Sequence, residues 1–254
     1  MKSLYYSVRG QGKPLVLLHG FLETHQIWDA FAEDLTSKYK VIAFDLPGFG
    51  QSPLLAKRPF TLTDVATEIN QCLKKITTEK IDLIGHSLGG YIALAMVELE
   101  PQLFSSLGLF HSTAYADSDE KKESRTKTID FVQRNGALVF TSNFVPPLFA
   151  NPTHEAVSFV RDLAIQTNQT TVIHYLEAMR DRPDRTNVLQ SFNGKILFLA
   201  GSQDTVIPSE ALKNQAKIPK NGFLKVFDRV GHMGMFEASQ ETRNELLEFL
   251  DGRG

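Results

Sequence analysis

Short apolar runs alternate with longer stretches of helical periodicity through the first half of the chain. Residues 15–18, 41–44 and 81–84 are nearly continuous apolar runs, the pattern of strands buried on both faces. Between them, residues 27–35 and 62–76 place apolar side chains at helical spacing, which predicts two helices. Strand, helix, strand in repetition predicts a parallel sheet covered on both sides. Residues 5–8 add an edge strand and residues 107–110 an inner one. Residues 195–201 and 223–227 supply two more, and residues 246–250 sit in a closing helix. The expected class is α/β, a mostly parallel sheet with helices on both faces.

The alternation stops between residues 110 and 195, which hold no strand-like run and four helical stretches, 120–135, 136–144, 153–166 and 170–180. We read this interval as a helical cap inserted over the functional site. Residues 113–190 then form the cap, and 1–112 with 191–254 the core. Pro146-Pro147 turns the chain between two cap helices, and Pro183 stops the last one. Of the cap phenylalanines Phe131, Phe140, Phe144, Phe149 and Phe159, most are expected to pack the cap onto itself and the sheet. One or two should line an apolar pocket.

Chemistry enters at Gly85-His86-Ser87-Leu88-Gly89, which ends an apolar strand and is followed at once by the helix-forming Tyr91-Ile92-Ala93-Leu94-Ala95-Met96. G-x-S-x-G in that setting is a nucleophile elbow. The strained turn leaves no room for neighbouring Cβ atoms, hence the glycines, and the following helix aims its free N–H groups where an oxyanion would form. A serine hydroxyl needs a base to take its proton, and the base needs a carboxylate to fix its tautomer. Asp204 leaves the carboxyl end of the 195–201 strand, and His232 lies on the loop after the 223–227 strand. Asp228 is a rival acid close to His232 in sequence. Asp204 is preferred because a separate strand carries it to the far side of the imidazole. The order Ser87, Asp204, His232 separates this arrangement from the other serine-hydrolase orders.

On these residues, and on Leu17-Leu18-His19-Gly20-Phe21 and Asp45-Leu46-Pro47-Gly48-Phe49-Gly50-Gln51-Ser52, the chain resembles the α/β-hydrolase superfamily over nearly its whole length. It looks like a capped, serine esterase-like member. The resemblance implies an α/β-hydrolase fold and an oxyanion hole made by the backbone N–H groups of Phe21 and Leu88. It also implies acyl transfer from a small or medium carboxylic ester to water through an acyl-enzyme at Ser87. Carbon–carbon bond hydrolysis, lyase chemistry and peroxide-dependent oxidation on the same triad stay open. Many carbon–carbon hydrolases of the superfamily carry Asn where this chain has His86, and its aspartate-nucleophile branches do not fit Ser87. A receptor of hydrolase fold with little turnover is the alternative of another class.

A formal net charge of −2 and a pI near 6.4 leave no electrostatic footprint for nucleic acid or an anionic membrane. The expected partner is a small ester-like molecule, and the oligomeric state is not legible. Met1 to Arg9 lacks the apolar core of a signal peptide, so a cytoplasmic location is expected. No metal is expected, since H-E-x-x-H, Cys/His arrays and acidic calcium loops are missing. No other cofactor is expected either, since Gly48 and Gly50 lack the third glycine of a dinucleotide fingerprint. His19 should brace its loop, and His86, adjacent to Ser87, cannot fold back onto it. His25, His111, His154 and His174 have no helper motif. The single cysteine, Cys72, shares the spacing of Val65, Ile69, Leu73 and Ile76 and should face the core. The run Arg180-Asp181-Arg182-Pro183-Asp184-Arg185 reads as a solvated surface rather than a carboxylate clamp. Trp28 suits core or pocket wall.

Overall fold

A computed structural model describes residues 3–252. Its strands are β1 (Tyr6–Arg9), β2 (Lys13–Leu18), β3 (Tyr39–Phe44), β4 (Ile81–His86), β5 (Phe104–Phe110), β6 (Lys195–Gly201) and β7 (Gly222–Phe227). They make one sheet in the order β1-β3-β2-β4-β5-β6-β7. Only β1 runs antiparallel; the other pairings are parallel. The apolar runs of the sequence fill the middle of this sheet and are buried on both faces, as parallel strands under helices must be.

Helix α1 (Leu62–Ile76) opens on a capping box, in which Thr61 Oγ1 accepts from Asp64 N and the Asp64 carboxylate accepts from Thr61 N. Helix α2 (Leu88–Leu99) is buried from Leu88 to Val97, so its apolar residues run all round rather than along one stripe. Cys72 is only half-buried at the edge of the core. Residues 27–35 do not make the expected helix. Two 3-10 turns, His25–Trp28 and Asp34–Ser37, bracket isolated turns instead. Ile27, Trp28, Phe31 and Leu35 are nevertheless buried. Trp28 and Phe31 both meet Phe110 of β5 edge-on. Packing satisfies the periodic burial, and a segment this short cannot hold a helix by propensity.

Between β5 and β6 lie α3 (Asp119–Asn135), α4 (Ala137–Phe144), α5 (Ala156–Ala164), α6 (Gln169–Arg180) and α7 (Thr186–Ser191), with no strand among them. Helix α3 packs along α6. This helical segment is tied to the sheet side by polar contacts as well as by its apolar face. Tyr175 Oη donates to Pro47 O at 2.9 Å, and Thr171 Oγ1 donates to Gly48 O at 3.2 Å. Phe149 is buried and Phe140 and Phe144 are half-buried, whereas Phe131 and Phe159 are 42% and 39% exposed. Helices α8 (Ser209–Gln215), α9 (Gly234–Glu237) and α10 (Ser239–Leu250) complete the chain. Among the described residues, no helix is long and apolar enough to cross a membrane.

The charged run at 180–185 is not a solvated surface throughout. Arg182 and Arg185 are buried: Arg182 Nη1 meets Asp117 Oδ1 at 2.7 Å and its guanidinium lies over the Tyr91 ring, while Arg185 Nε donates to Glu98 at 2.9 Å. Their partners sit on distant segments, so a local charge pattern could not announce them.

Candidate active site

Ser87 occupies the turn between β4 and α2 with φ 49° and ψ −113°, a conformation that a side-chain-bearing residue holds only under compulsion. The neighbours explain why glycine flanks it. A Cβ at Gly85 would stand 2.3 Å from Gly89 O, and one at Gly89 would stand 2.5 Å from Leu18 O. The turn is pinned from β5: Ser87 N donates to Phe110 O at 3.0 Å, and Ser112 Oγ donates to Ser87 O at 2.7 Å. Leu88 is the first residue of α2, so its N–H is among the donors a helix leaves without an intrahelical partner.

His232 and Asp204 meet as a buried pair, His232 Nδ1 lying 2.8 Å from Asp204 Oδ2. The other oxygen of Asp204 accepts from Val206 N at 2.8 Å and Ile207 N at 2.9 Å. Burial pushes the Asp204 carboxyl up, but the facing His232 imidazole and the hydrogen bonds from His111 and His232 outweigh it and hold Asp204 well below the ordinary carboxylate range. Asp228 does not reach this site. Its side chain is 85% exposed and turned toward Arg229 and Ser202.

Four supports were invisible in the sequence. Glu237 accepts from the backbone N–H groups of Gly231 and Met233, on either side of His232, and from Ala150. His232 N itself donates to Leu148 O at 2.7 Å, so the helical segment helps hold the histidine loop. His111 places Nδ1 3.2 Å from Asp204 Oδ2. Burial pushes the His111 imidazole down to about 4, with the Asp204 contact only partly opposing it. It is therefore a neutral donor to the same carboxylate oxygen that His232 uses.

The last support is Glu23, buried beneath the turn. Its Oε2 accepts from Gly20 N at 2.5 Å and lies 3.0 Å from His86 Nδ1. His86 Nε2 lies 3.0 Å from His232 O. An ionised Glu23, the form its lowered pKa favours, makes both neighbours of the ring acceptors, and a neutral imidazole has one N–H, so we read the pair as imidazolium and carboxylate. Burial pushes His86 down, but the Glu23 charge and hydrogen bond and the His232 carbonyl overcome it and raise it. Burial likewise pushes Glu23 up, and His86 brings it below its usual value. His19 braces the same region, with Nδ1 2.7 Å from Gly20 O and Nε2 accepting from Leu46 N at 2.9 Å.

His111, Asp204 and His232 offer nitrogen and oxygen atoms within 4.8 Å of one another. The 2.8 Å between His232 Nδ1 and Asp204 Oδ2 is a hydrogen-bond separation. Two atoms bound to one tetrahedral metal at about 2.0–2.2 Å would stand farther apart.

Ser87 and His232 line one cavity of about 210 Å³, below the roughly 300–1,000 Å³ of sites for drug-sized ligands. Phe21, Phe140, Phe144, Leu176 and Met179 give it apolar walls. The structure thus brings Ser87, His232 and Phe21 to one cavity and sets Asp204 behind the histidine.

The family model described as alpha/beta hydrolase fold matches residues 13–239. An uncharacterized hydrolase of Bacillus subtilis, YugF, is 36% identical over 248 residues, covering 93% of this chain and 89% of that protein. The dihydrolipoyllysine-residue acetyltransferase component of an acetoin cleaving system from Pseudomonas putida is 26% identical over 97% of this chain. The chain spans 66% of that protein, just under two thirds of its length. A malate-bound thermophilic esterase from Thermogutta terrifontis superposes with a TM-score of 0.91 at 28% identity, over 98% of this chain and 93% of that one.

Proposed function

We propose that this chain, which belongs to the alpha/beta hydrolase family, is a serine carboxylesterase acting on small or medium esters. The observation that carries the reading is a serine on a strained strand-to-helix turn, in one cavity with a histidine that is paired to a buried carboxylate. Ser87 Oγ attacks the ester carbonyl as His232 Nε2 takes its proton. The Phe21 and Leu88 N–H groups receive the oxyanion, and His232 returns the proton to the departing alcohol oxygen. Water, deprotonated by His232, then attacks the acyl-enzyme and frees Ser87. Asp204 keeps the proton of His232 on Nδ1, which leaves Nε2 free to act as base. Each step uses the chain's own groups and water. The narrow, phenylalanine-lined cavity supports a short acyl or alcohol group, and the likeness to an esterase supports the ester bond.

The test is steady-state hydrolysis of p-nitrophenyl esters from acetyl to dodecanoyl, with Ser87→Ala beside the parent. Turnover by the parent with a short-chain optimum, reduced by several orders of magnitude in the variant, is the expected result. Equal turnover by the two proteins would defeat the reading. Ligand-induced thermal stabilisation without turnover or fluorophosphonate labelling would favour a receptor.

A further inference from the structure

One wall of the Ser87 cavity differs in kind from the rest. Lys121, Ser124, Arg125 and Thr128 recur at spacings of three and four along one face of α3, and all four line the cavity. Helices α4 and α6 present Phe140, Phe144, Leu176 and Met179 to the same space. A helix docked only for stability turns its apolar stripe inward; α3 turns a polar, cationic one toward the cavity.

The charges on that wall are not balanced. Asp117 is buried and is met both by Arg125 Nε and by Arg182 Nη1. Lys121 Nζ donates to a neutral acceptor, Val206 O, at 3.0 Å. Three cations therefore share one carboxylate. Arg182 is already committed to Asp117, to the carbonyls of Met179 and Tyr115 and to the Tyr91 ring. Arg125 gives Nε to Asp117, which leaves a guanidinium four further N–H donors, and Lys121 retains two. Of the acids close to the cavity, Glu23 is matched to His86, and Asp204 is hydrogen-bonded to His232 and His111 and acts on Lys121 only through space. Partly buried cations in excess of the carboxylates around them are unfavourable unless something supplies the missing counter-charge. Burial, with Arg125 repelling, pushes the Lys121 ammonium down, the direction expected of such a cation.

We propose that Lys121 and Arg125 form a subsite for a carboxylate carried by the substrate. The preferred esters are then half-esters of dicarboxylic acids or esters of hydroxy acids rather than simple alkyl esters. The fork of Arg125 suits the two oxygens of a carboxylate, and Lys121 adds a point charge. Ser124 offers a hydroxyl on the same face, while the Thr128 hydroxyl donates to Ser124 O at 2.9 Å. The turnover part of this proposal rests on the serine-esterase reading, and the binding part does not.

The experiment pairs each anionic ester with its neutral isostere: monoethyl glutarate with ethyl pentanoate for a carboxylate on the acyl side, and butyryl glycolate with ethyl butyrate for one on the alcohol side. At least a tenfold higher kcat/KM for the anionic member of one pair is expected. That ratio should fall to within about twofold of unity in Arg125→Gln and shrink in Lys121→Gln, and Arg125→Lys should restore part of it. No preference in either pair, or a preference that both variants keep, would overturn the proposal. Calorimetric titration of Ser87→Ala with glutarate and with 1,5-pentanediol separates binding from chemistry. Glutarate should bind in preference to the diol and lose that preference in Ser87→Ala/Arg125→Gln, even if no ester is turned over. Failure of all four esters together with no fluorophosphonate labelling of Ser87 would count against the esterase reading instead, and equal binding of glutarate and diol against the subsite.

Discussion

Glu23→Gln probes the charge pair beneath the nucleophile turn with almost no change in shape. In the parent, Glu23 Oε2 receives Gly20 N–H and the Nδ1–H of His86, whose Nε2–H goes to His232 O. An amide at position 23 removes the counter-charge. His86 must then stay charged without a partner, or lose a proton, which sets a lone pair against an acceptor oxygen or, with the amide NH2 turned to Nδ1, sets that NH2 against Gly20 N–H. Both side chains are buried, so solvent does not relieve either outcome. Removing one member of a buried pair costs about 3–5 kcal/mol, which for a domain of this size lowers Tm by roughly 6–20 °C. The pH dependence follows from the directions of the shifts. Glu23 lies below its usual 4.5, so its contribution is present above that value and is lost as pH falls through its depressed pKa. His86 lies above its usual 6.5, so its contribution is full below that value and is lost as pH rises through its raised pKa. The parent should exceed the variant most between those values, with the gap narrowing at alkaline pH. Urea denaturation of both proteins from pH 5 to 9 reads this directly. A gap below about 1 kcal/mol at pH 5.5, or one that widens above pH 8, would refute the assignment of a charged His86.

His111→Phe keeps a ring but removes one N–H from the Asp204 carboxylate. A hydrogen bond to a charged group is worth about 1.5–3 kcal/mol, and urea unfolding should show a loss of that order; an unchanged midpoint would contradict the role given to His111. Gly89→Ala forces a Cβ between the carbonyl oxygens of Leu18 and His19, 2.5 and 2.7 Å away. Both are backbone, so the turn must move. A loss of about 1–3 kcal/mol with greatly slowed fluorophosphonate labelling of Ser87 is expected, and parental stability and labelling rate together would show that the turn is not tight.

Ser87, Asp204 and His232 could be found in the sequence because each follows an apolar strand within a few residues, and the carboxyl ends of parallel strands face one edge of the sheet. Their supports could not be found the same way. Glu23 is 63 residues from His86, and His111 is 93 from Asp204, so only the sheet order reveals these contacts. Arg182 and Arg185 misled for the same reason, since a charge run looks solvated until Asp117 and Glu98 are seen beside it. The 27–35 segment shows the limit of periodicity. Its buried positions were right and its helix was not, because the Trp28 and Phe31 rings are held by Phe110 rather than by a regular backbone. The cationic face of α3 was written in the spacing of Lys121, Ser124, Arg125 and Thr128, but its direction needed the cavity.

The central claim is that Ser87 carries the acyl group, and the most direct measurement is intact-protein and peptide mass spectrometry after rapid acid quench of an ester turnover. The account predicts a mass increment equal to one acyl group, located on the peptide containing Ser87, that decays in step with turnover and is absent from Ser87→Ala. An adduct on another residue, or rapid turnover with no adduct at any quench time together with full activity in Ser87→Ala, would contradict it.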